Sequence, residues 1–161
     1  MCIRDSVKIE GPFALRHMGI EDVIKKGLSD KKNVAGREGA CTLVMTLFEE
    51  GVGHEVEPFI MNGPFEMIVE AMGDKEKTVR QKAEDALLLV VRNMSTWGVP
   101  QVMRTLLHQM RTAGKWQVKT GCVRLLEELI VVCPEIVSRM MTEIIPVMAE
   151  VIWDTKSDVQ K

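Results

Sequence analysis

The sequence has few aromatic residues: they make up 4% of its 161 residues, and tyrosine is absent. Its apolar side chains are instead mostly aliphatic, and hydrophobic residues reach 46%. Aliphatic side chains suit helix packing, whereas strands are enriched in aromatic and β-branched residues. We therefore predict a soluble, all-α domain.

Long hydrophobic runs and paired cysteines are also missing. No apolar stretch approaches the roughly 18 to 20 residues that cross a bilayer, and the N-terminus has no hydrophobic signal region. Of the four cysteines, Cys2, Cys41, Cys122 and Cys133, none forms a CxxC pair and three lie among apolar residues. This pattern favours reduced, buried thiols and a cytoplasmic location.

Motifs for catalysis, cofactors and metals are lacking as well. There is no GxxxxGK[ST] loop, and the glycines of 51–53 lack the strand and third glycine of a dinucleotide loop. His54 begins like a zinc-protease motif, but Pro58 stands where the second histidine would be. We predict no catalytic residue, cofactor site or metal site in this chain. A net charge of −2 argues against electrostatic nucleic-acid binding by the whole chain, and we expect neither a DNA nor a membrane partner.

One apolar pattern occurs three times in the same register. Counting from Gly36, Val79 and Val118, apolar residues recur at +4, +7, +8, +11 and +12. The members are Ala40, Leu43, Val44, Leu47 and Phe48, then Ala83, Ala86, Leu87, Val90 and Val91, then Cys122, Leu125, Leu126, Leu129 and Ile130. These offsets place the residues on one face of a helix, which we call helix B of a repeating unit.

A second helical pattern, helix A, precedes each B helix and ends at a polar turn. The turn positions Asp30, Asp74, Ala113 and Asp154 are 44, 39 and 41 residues apart. Two helices and roughly 40 to 47 residues per unit are typical of HEAT repeats. The predicted fold is a right-handed α-solenoid of HEAT-type (armadillo-like) helical hairpins, with about three and a half repeats.

The repeats define the predicted domain organisation. Residues 1–10 match no part of the pattern and are assigned to an unstructured or extraneous segment. The HEAT array covers 11–161, with units at about 13–50, 56–94, 100–133 and 134–161. Because the last unit stops early in its B helix, we expect a truncated repeat whose A-helix face is partly exposed and allows self-association. That face comprises Val147, Met148, Val151 and Ile152.

Local signals predict where helices start and break. The stretches 78–81 and 157–160 have the sequence of capping boxes, with Thr78 and Ser157 as the hydroxyl residues. Pro64 and Pro146 fall inside A-helix patterns, so we expect each to kink or restart its helix.

Cations recur at the A-to-B turns of all four units, and these are the candidate partner-binding residues. With one neighbouring tryptophan they are Lys31, Lys32, Lys75, Lys77, Arg80, Lys115, Trp116, Lys119 and Lys156. Stacking the units would align them. Two interpretations stay open: a solvated ridge, or a positive stripe that binds rRNA or an acidic protein surface. Trp116 either covers a repeat interface or contacts a partner.

Three segments resemble the N-terminal HEAT domain of fungal-type translation elongation factor 3. They are "IPVMAEVIWDTKSDV" at 145–159, "GKWQVK" at 114–119 and "VEPFI" at 56–60. The resemblance implies a cytoplasmic, ribosome-associated ATPase that promotes release of deacylated tRNA from the E site. Its HEAT array would contact small-subunit proteins and rRNA, while ATP would bind cassettes outside this chain, so the chain itself would not be an enzyme. The B helices of the present chain are richer in Leu, Val and Met than the Ala-rich B helices of that family. This difference suggests a distant member.

Other HEAT proteins remain as alternatives. A Gcn1-like translational-control scaffold shares this region with the elongation factor. A tubulin-binding TOG array also places tryptophan and basic residues on A-to-B turns, although there the tryptophan belongs to the first repeat and Trp116 lies in the third. A nuclear-transport or phosphatase scaffold would be a further protein-interaction array of the same fold.

Overall fold

The computed structural model of the chain describes residues 13–49 and 53–153. These residues form ten α-helices and contain no strand. The helices are α1 (Phe13–His17), α2 (Ile20–Ser29), α3 (Val34–Glu49), α4 (Gly53–Met61), α5 (Pro64–Ala71), α6 (Lys77–Asn93), α7 (Val99–Thr112), α8 (Trp116–Val132), α9 (Pro134–Arg139) and α10 (Met141–Ile152).

The helices stack in two layers. One layer is formed by the B helices α3, α6 and α8, in which α6 packs against both of the others. The A helices form the second layer, where α2 packs on α5, α5 on α7, and α7 on α10. Within a unit, A packs on B in the pairs α2–α3, α5–α6 and α7–α8. The all-α solenoid prediction is therefore confirmed.

The repeated apolar stripe supplies the core between the layers. In α6 all five stripe residues and Val79 are fully buried, and full burial of one Val or Leu side chain stabilises by about 1.5–3 kcal/mol. At the +12 position Phe48 and Val91 are buried, but Ile130 is 49% exposed. Helices α3 and α6 are each followed by a B helix that packs against them, whereas no described B helix follows α8.

Two A helices are interrupted at glycines with left-handed backbone. Gly19 (φ 61°) separates α1 from α2, and Gly63 (φ 117°) separates α4 from α5. Pro64 follows as the first residue of α5, so the predicted restart at Pro64 is confirmed. Because Pro lacks an N–H group, it fits the first helical turn, where that group has no partner.

Pro146 does not restart its helix, so that part of its prediction is wrong. Helix α10 continues through Pro146, and the A helix of the fourth unit breaks earlier, at Met140. The proline removes one helical hydrogen bond near the start of α10. Val147 and Val151, which are 1% and 5% exposed, pack this helix against its neighbours and hold it in place.

The expected partial exposure of that helix face is confirmed for Met148 and Ile152 and wrong for Val147 and Val151. Val147 and Val151 are buried and Met148 is half-buried, since the face lies against the described helix α7. Only Ile152, at 59%, is substantially exposed.

Helix starts use turn residues instead of the predicted capping box. The N-cap of α6 is Glu76, so Thr78 lies inside the helix, and Gln81 donates to Asp85. The Asp74 carboxylate accepts the Glu76 N–H at 2.9 Å. In the first unit Asp30 accepts the backbone N–H groups of Lys32 and Asn33, and Asn33 accepts that of Gly36. The second predicted box, at Ser157, lies outside the described residues.

Candidate interaction edge at the A-to-B turns

The three described A-to-B turns lie at one edge of the solenoid, which we call the turn edge: the last turn of each A helix, the turn itself and the first turn of the B helix. Cations outnumber carboxylates there. The cations are Lys26, Lys31, Lys32, Arg37, Lys75, Lys77, Arg80, Arg111, Lys115 and Lys119; the carboxylates are Asp30, Glu70, Asp74 and Glu76.

Four of the predicted lysines are solvated. Lys31 and Lys32 in the first turn, and Lys75 and Lys77 in the second, have exposed side chains. Their ammonium groups form no ion pair with any residue that the structure describes. They present positive charge to solvent at little packing cost.

A residue absent from the predicted set, Arg37, joins the first two turns. Its Nη1 donates to the Asp30 carbonyl at 2.8 Å. Its Nη2 donates to one Asp74 oxygen at 3.2 Å, and its Nε lies 2.9 Å from the other. The Arg37 side chain is 3% exposed. The buried Arg37 guanidinium thus links two neighbouring units, because it contacts the Asp30 carbonyl in one turn and the Asp74 carboxylate in the next.

Arg37 has a sequence signal that was overlooked. A cation follows each described B-helix origin by one residue, at Arg37, Arg80 and Lys119. The partner position one unit later is Asp74 for Arg37 but Ala113 for Arg80. Lacking that carboxylate, Arg80 donates to the carbonyls of Asp74 and Lys75 in its own turn, at 2.8 and 2.9 Å.

Lys115 makes the inter-unit contact of the third turn. Its Nζ donates to the backbone carbonyl of Gly73 in the second turn. A Cβ on Gly73 would meet Cδ of Lys115 and Cγ2 of Val118, so the absence of a side chain lets the lysine stem lie against the backbone. Lys115 therefore contributes to the stacking of the units as well as to the charge of the edge.

The remaining predicted residues have different surroundings. Trp116 is the first residue of α8 and is 38% exposed. Lys119 is half-buried and engaged in contacts within the protein. Lys156 lies outside the described residues. Partner binding by the predicted set stays a prediction.

A groove of about 710 Å³ runs along the turn edge from the first unit to the third. Lys31, Arg37 and Lys115 line it, and so do the carboxylates of Glu70 and Asp74. The groove itself therefore carries both signs of charge, and three of the four solvated lysines, Lys32, Lys75 and Lys77, lie outside its lining.

Asp74 titrates below its ordinary range. Burial, the largest single influence, raises the pKa of Asp74, but the Glu76 N–H and the Arg37 guanidinium, aided by Lys115, outweigh it and lower the pKa below its usual value. The carboxylate is thus ionised at neutral pH and holds Arg37 in place.

The described residues offer little for catalysis. They contain no cluster of three or more His, Cys, Asp or Glu side chains that could hold a metal ion. Burial raises the pKa of the Cys41 thiol to about 11 and that of Cys122 to about 12, which leaves both protonated and unreactive at neutral pH.

No described helix is both long and apolar enough to cross a bilayer.

Comparison with known families settles the relationship. The family model described as "EF3 N-terminal HEAT repeat" matches residues 3–161. The chain belongs to this elongation factor 3 family. The resemblance drawn from 56–60, 114–119 and 145–159 is confirmed.

Individual relatives agree with the family assignment. Elongation factor 3 of Mycosarcoma maydis is 63% identical over 155 residues, which cover 96% of this chain and 14% of the relative. Elongation factor 3 of Gonapodya prolifera is 29% identical over 154 residues, with the same coverage. The stalled ribosome sensor GCN1 of Mus musculus is 30% identical over 162 residues, 96% of this chain and 6% of the relative.

The coverage and the identity of these relatives each have a consequence for this member of the elongation factor 3 family. It spans 14% of the length of the elongation factor 3 relatives named above. The expectation of a distant family member is wrong, because identity to the Mycosarcoma maydis protein reaches 63%. Aliphatic enrichment of the B helices is thus compatible with close relationship.

Proposed function

We propose that this chain is a non-catalytic docking module that holds an elongation factor 3-like protein on the ribosome through the turn edge. The partners would be rRNA and proteins of the small subunit, in the cytoplasm. ATP would be bound and hydrolysed by cassettes outside this chain, which itself takes no cofactor. In the whole protein, docking would position those cassettes so that deacylated tRNA is released from the E site.

The observation that carries this proposal is the row of unpaired lysines on a solenoid of this family. Lys31, Lys32, Lys75 and Lys77 project from two successive turns and lack ion-pair partners among the described residues. Each phosphate that such a cation neutralises releases counterions, and this favours binding in a strongly salt-dependent way. The relatives, an elongation factor and a ribosome sensor by name, support the ribosome as the polyanion.

The test is ribosome binding by a charge-reversal variant with a charge-matched control. The test variant carries Lys31→Glu, Lys75→Glu and Lys77→Glu. The control carries Arg16→Glu, Arg104→Glu and Arg139→Glu, three exposed arginines away from the turn edge that lack ion-pair partners among the described residues. Both variants change the net charge equally, so a difference between them reports position and not total charge.

Arg92 and Lys82 are unsuitable controls. Arg92 pairs with Glu128 at 2.7 Å, and Lys82 donates to Thr42 at 3.2 Å across units. Lys115 is unsuitable as a test site, because its reversal would also break the contact with Gly73. Circular dichroism and a thermal melt should show that both chosen variants stay folded.

We expect co-sedimentation with small ribosomal subunits to weaken by about tenfold or more in the test variant. The slope of log affinity against log salt should also fall by about two to three, at roughly 0.7–0.9 per lost phosphate contact. Equal binding by the test variant and wild type, or wild-type binding that does not vary with salt, would show that the lysines are merely solvated.

A Gcn1-like scaffold is the second candidate, since GCN1 aligns over 96% of this chain. The 63% identity to an elongation factor 3, against 30% to GCN1, favours the first assignment. Both candidates predict ribosome binding, and only the elongation factor assignment predicts ribosome-stimulated ATP hydrolysis by the whole protein.

A further inference from the structure

The turn between α6 and α7 displays a tryptophan to solvent. Trp97 is 88% exposed, although the residues that flank the turn are in the core: Met94 is 8% exposed and Val99 is fully buried. A single exposed apolar residue needs no explanation by itself. What distinguishes Trp97 is how the turn beneath it is fixed.

The turn is closed and anchored. The Gly98 N–H donates to the Ser95 carbonyl at 3.1 Å, so Thr96 and Trp97 are the two central residues of a tight turn. The carboxylate of Glu57, on helix α4, accepts the Ser95 N–H with one oxygen and the Ser95 hydroxyl with the other, both at 2.8 Å. Glu57 is 8% exposed.

Because Gly98 has no side chain, the end of the turn can lie close to the same Glu57 carboxylate. A Cβ at this position would collide with Oε1 of Glu57 and with Cε of Met94. A buried acid thus accepts two hydrogen bonds from the first residue of the turn and lies against Gly98, its last residue. Because the turn is already ordered, binding through Trp97 loses little conformational entropy.

Trp97 lies at an acidic edge of the solenoid. We call it the loop edge: the end of each B helix and the first turn of the A helix that follows it. Its exposed carboxylates are Glu49, Glu55 and Glu135, and Glu57 and Glu128 lie one residue further into their helices. Among the described lysines and arginines it has Arg92 alone, which is held by both oxygens of Glu128 at 2.7 and 3.2 Å. The loop edge therefore repels phosphate and favours a cationic partner.

We propose that Trp97 and the loop edge form a docking site for an arginine-containing, basic polypeptide segment. A guanidinium group can stack on the indole face, which suits arginine better than lysine, while the exposed carboxylates Glu49, Glu55 and Glu135 of the same edge attract the rest of a basic segment. This site is separate from the turn edge and does not depend on the ribosome-docking proposal.

The test uses tryptophan fluorescence of the whole 161-residue chain. With Trp116→Phe and Trp153→Phe, Trp97 becomes the sole tryptophan, since the sequence contains three. The probes are a short peptide of alternating arginine and glycine, the equivalent lysine–glycine and glutamate–glycine peptides, and a single-stranded RNA of similar length. We expect the arginine peptide to change the emission of Trp97, the lysine peptide to bind more weakly, and the other two to have no effect.

Variants separate the role of the indole from that of the clamp, by which we mean the two Glu57–Ser95 hydrogen bonds, with calorimetric titration as the second readout. Trp97→Ala should weaken arginine-peptide binding by about tenfold. The matched control is Trp153→Ala, because Trp153 is 85% exposed but lacks such a clamp among the described residues; it should leave the affinity unchanged. Glu57→Gln keeps the indole but removes one hydrogen-bond acceptor. The affinity for the arginine peptide should then fall severalfold, and the amplitude of the fast component in the anisotropy decay of Trp97 should increase.

Ser95→Ala serves as the milder second variant if Glu57→Gln fails to fold. It removes one of the two hydrogen bonds and should give a smaller loss in the same direction. The proposal is overturned if Trp97→Ala and Trp153→Ala bind the arginine peptide equally well, or if the RNA binds at Trp97 more tightly than the peptide. It is also overturned if Trp97 fluorescence depends on protein concentration without any probe, since a second copy of the chain would then be the occupant.

Discussion

Replacing Arg37 with methionine should destabilise the fold more than any exposed substitution on the turn edge. Methionine keeps much of the apolar stem and removes the guanidinium. The change breaks the bond to the Asp30 carbonyl at 2.8 Å and the paired contacts to Asp74 at 3.2 and 2.9 Å. The Asp74 carboxylate, 15% exposed, is left without its main counter-charge.

The size of the stability loss depends on the contacts that Asp74 keeps when Arg37 is replaced. Breaking a buried ion pair from one side costs about 3–5 kcal/mol, because the other charge stays buried and unpaired. Asp74 is not fully buried and keeps the Glu76 N–H at 2.9 Å, so part of its solvation is retained. We therefore expect Arg37→Met to lower the free energy of unfolding by about 2–4 kcal/mol.

The same pair should appear in the pH dependence of stability. The folded pKa of Asp74 is lowered, so the unfolded state binds the proton more readily. This contribution is fully present above the unfolded pKa of about 3.9 and is lost as the pH falls through the lower folded value. Arg37→Met should flatten the loss of stability on acidification below about pH 5.

Urea unfolding of Arg37→Met, Asp74→Asn and the double variant measures the coupling, with Lys32→Met as an exposed control. We expect a coupling free energy of about 1–3 kcal/mol and unchanged m-values. If Arg37→Met costs no more than Lys32→Met, or if the two single effects simply add, the pair does not link the units as argued.

Further outcomes are expected from the third turn and from the thiols. Ala113→Asp restores the carboxylate that Arg80 lacks and should stabilise by about 0.5–1 kcal/mol in urea unfolding; unchanged or lower stability would contradict the proposed equivalence of the turns. With the N-terminal cysteine replaced, a chromogenic disulfide reagent at pH 8 should label half-buried Cys133 first, and only unfolding should expose Cys41 and Cys122, whose pKa values burial raises to about 11 and 12. Rapid labelling of all three in the folded protein would contradict the described burial.

The B helices could be predicted because their information is local. A stripe at +4, +7, +8, +11 and +12 needs only the helical period, and three copies in one register reveal the stacking. The A helices were predicted less well. Whether a helix breaks at Met140 or at Pro146 depends on packing against α7, which the local pattern does not contain.

The roles of individual cations were harder to predict, because they depend on contacts between units. Lys75 and Lys115 both lie within two residues of a turn position, yet Lys75 is solvated and Lys115 reaches the Gly73 carbonyl of the preceding unit. Arg37 was missed for the same reason, since its partner Asp74 lies 37 residues away. Only the recurrence of a cation one residue after each B-helix origin pointed to it.

The fold also separates charges that the sequence interleaves. Each B helix runs from the basic turn edge to the acidic loop edge, and α6 has 17 residues, which span about 25 Å at 1.5 Å per residue. That distance is roughly three times the Debye length of about 8 Å at physiological salt. The two edges therefore act as nearly independent electrostatic surfaces despite a net charge of only −2. A polyanion at one edge and a basic polypeptide at the other could bind the same solenoid together, with neither charge reducing the affinity of the opposite edge.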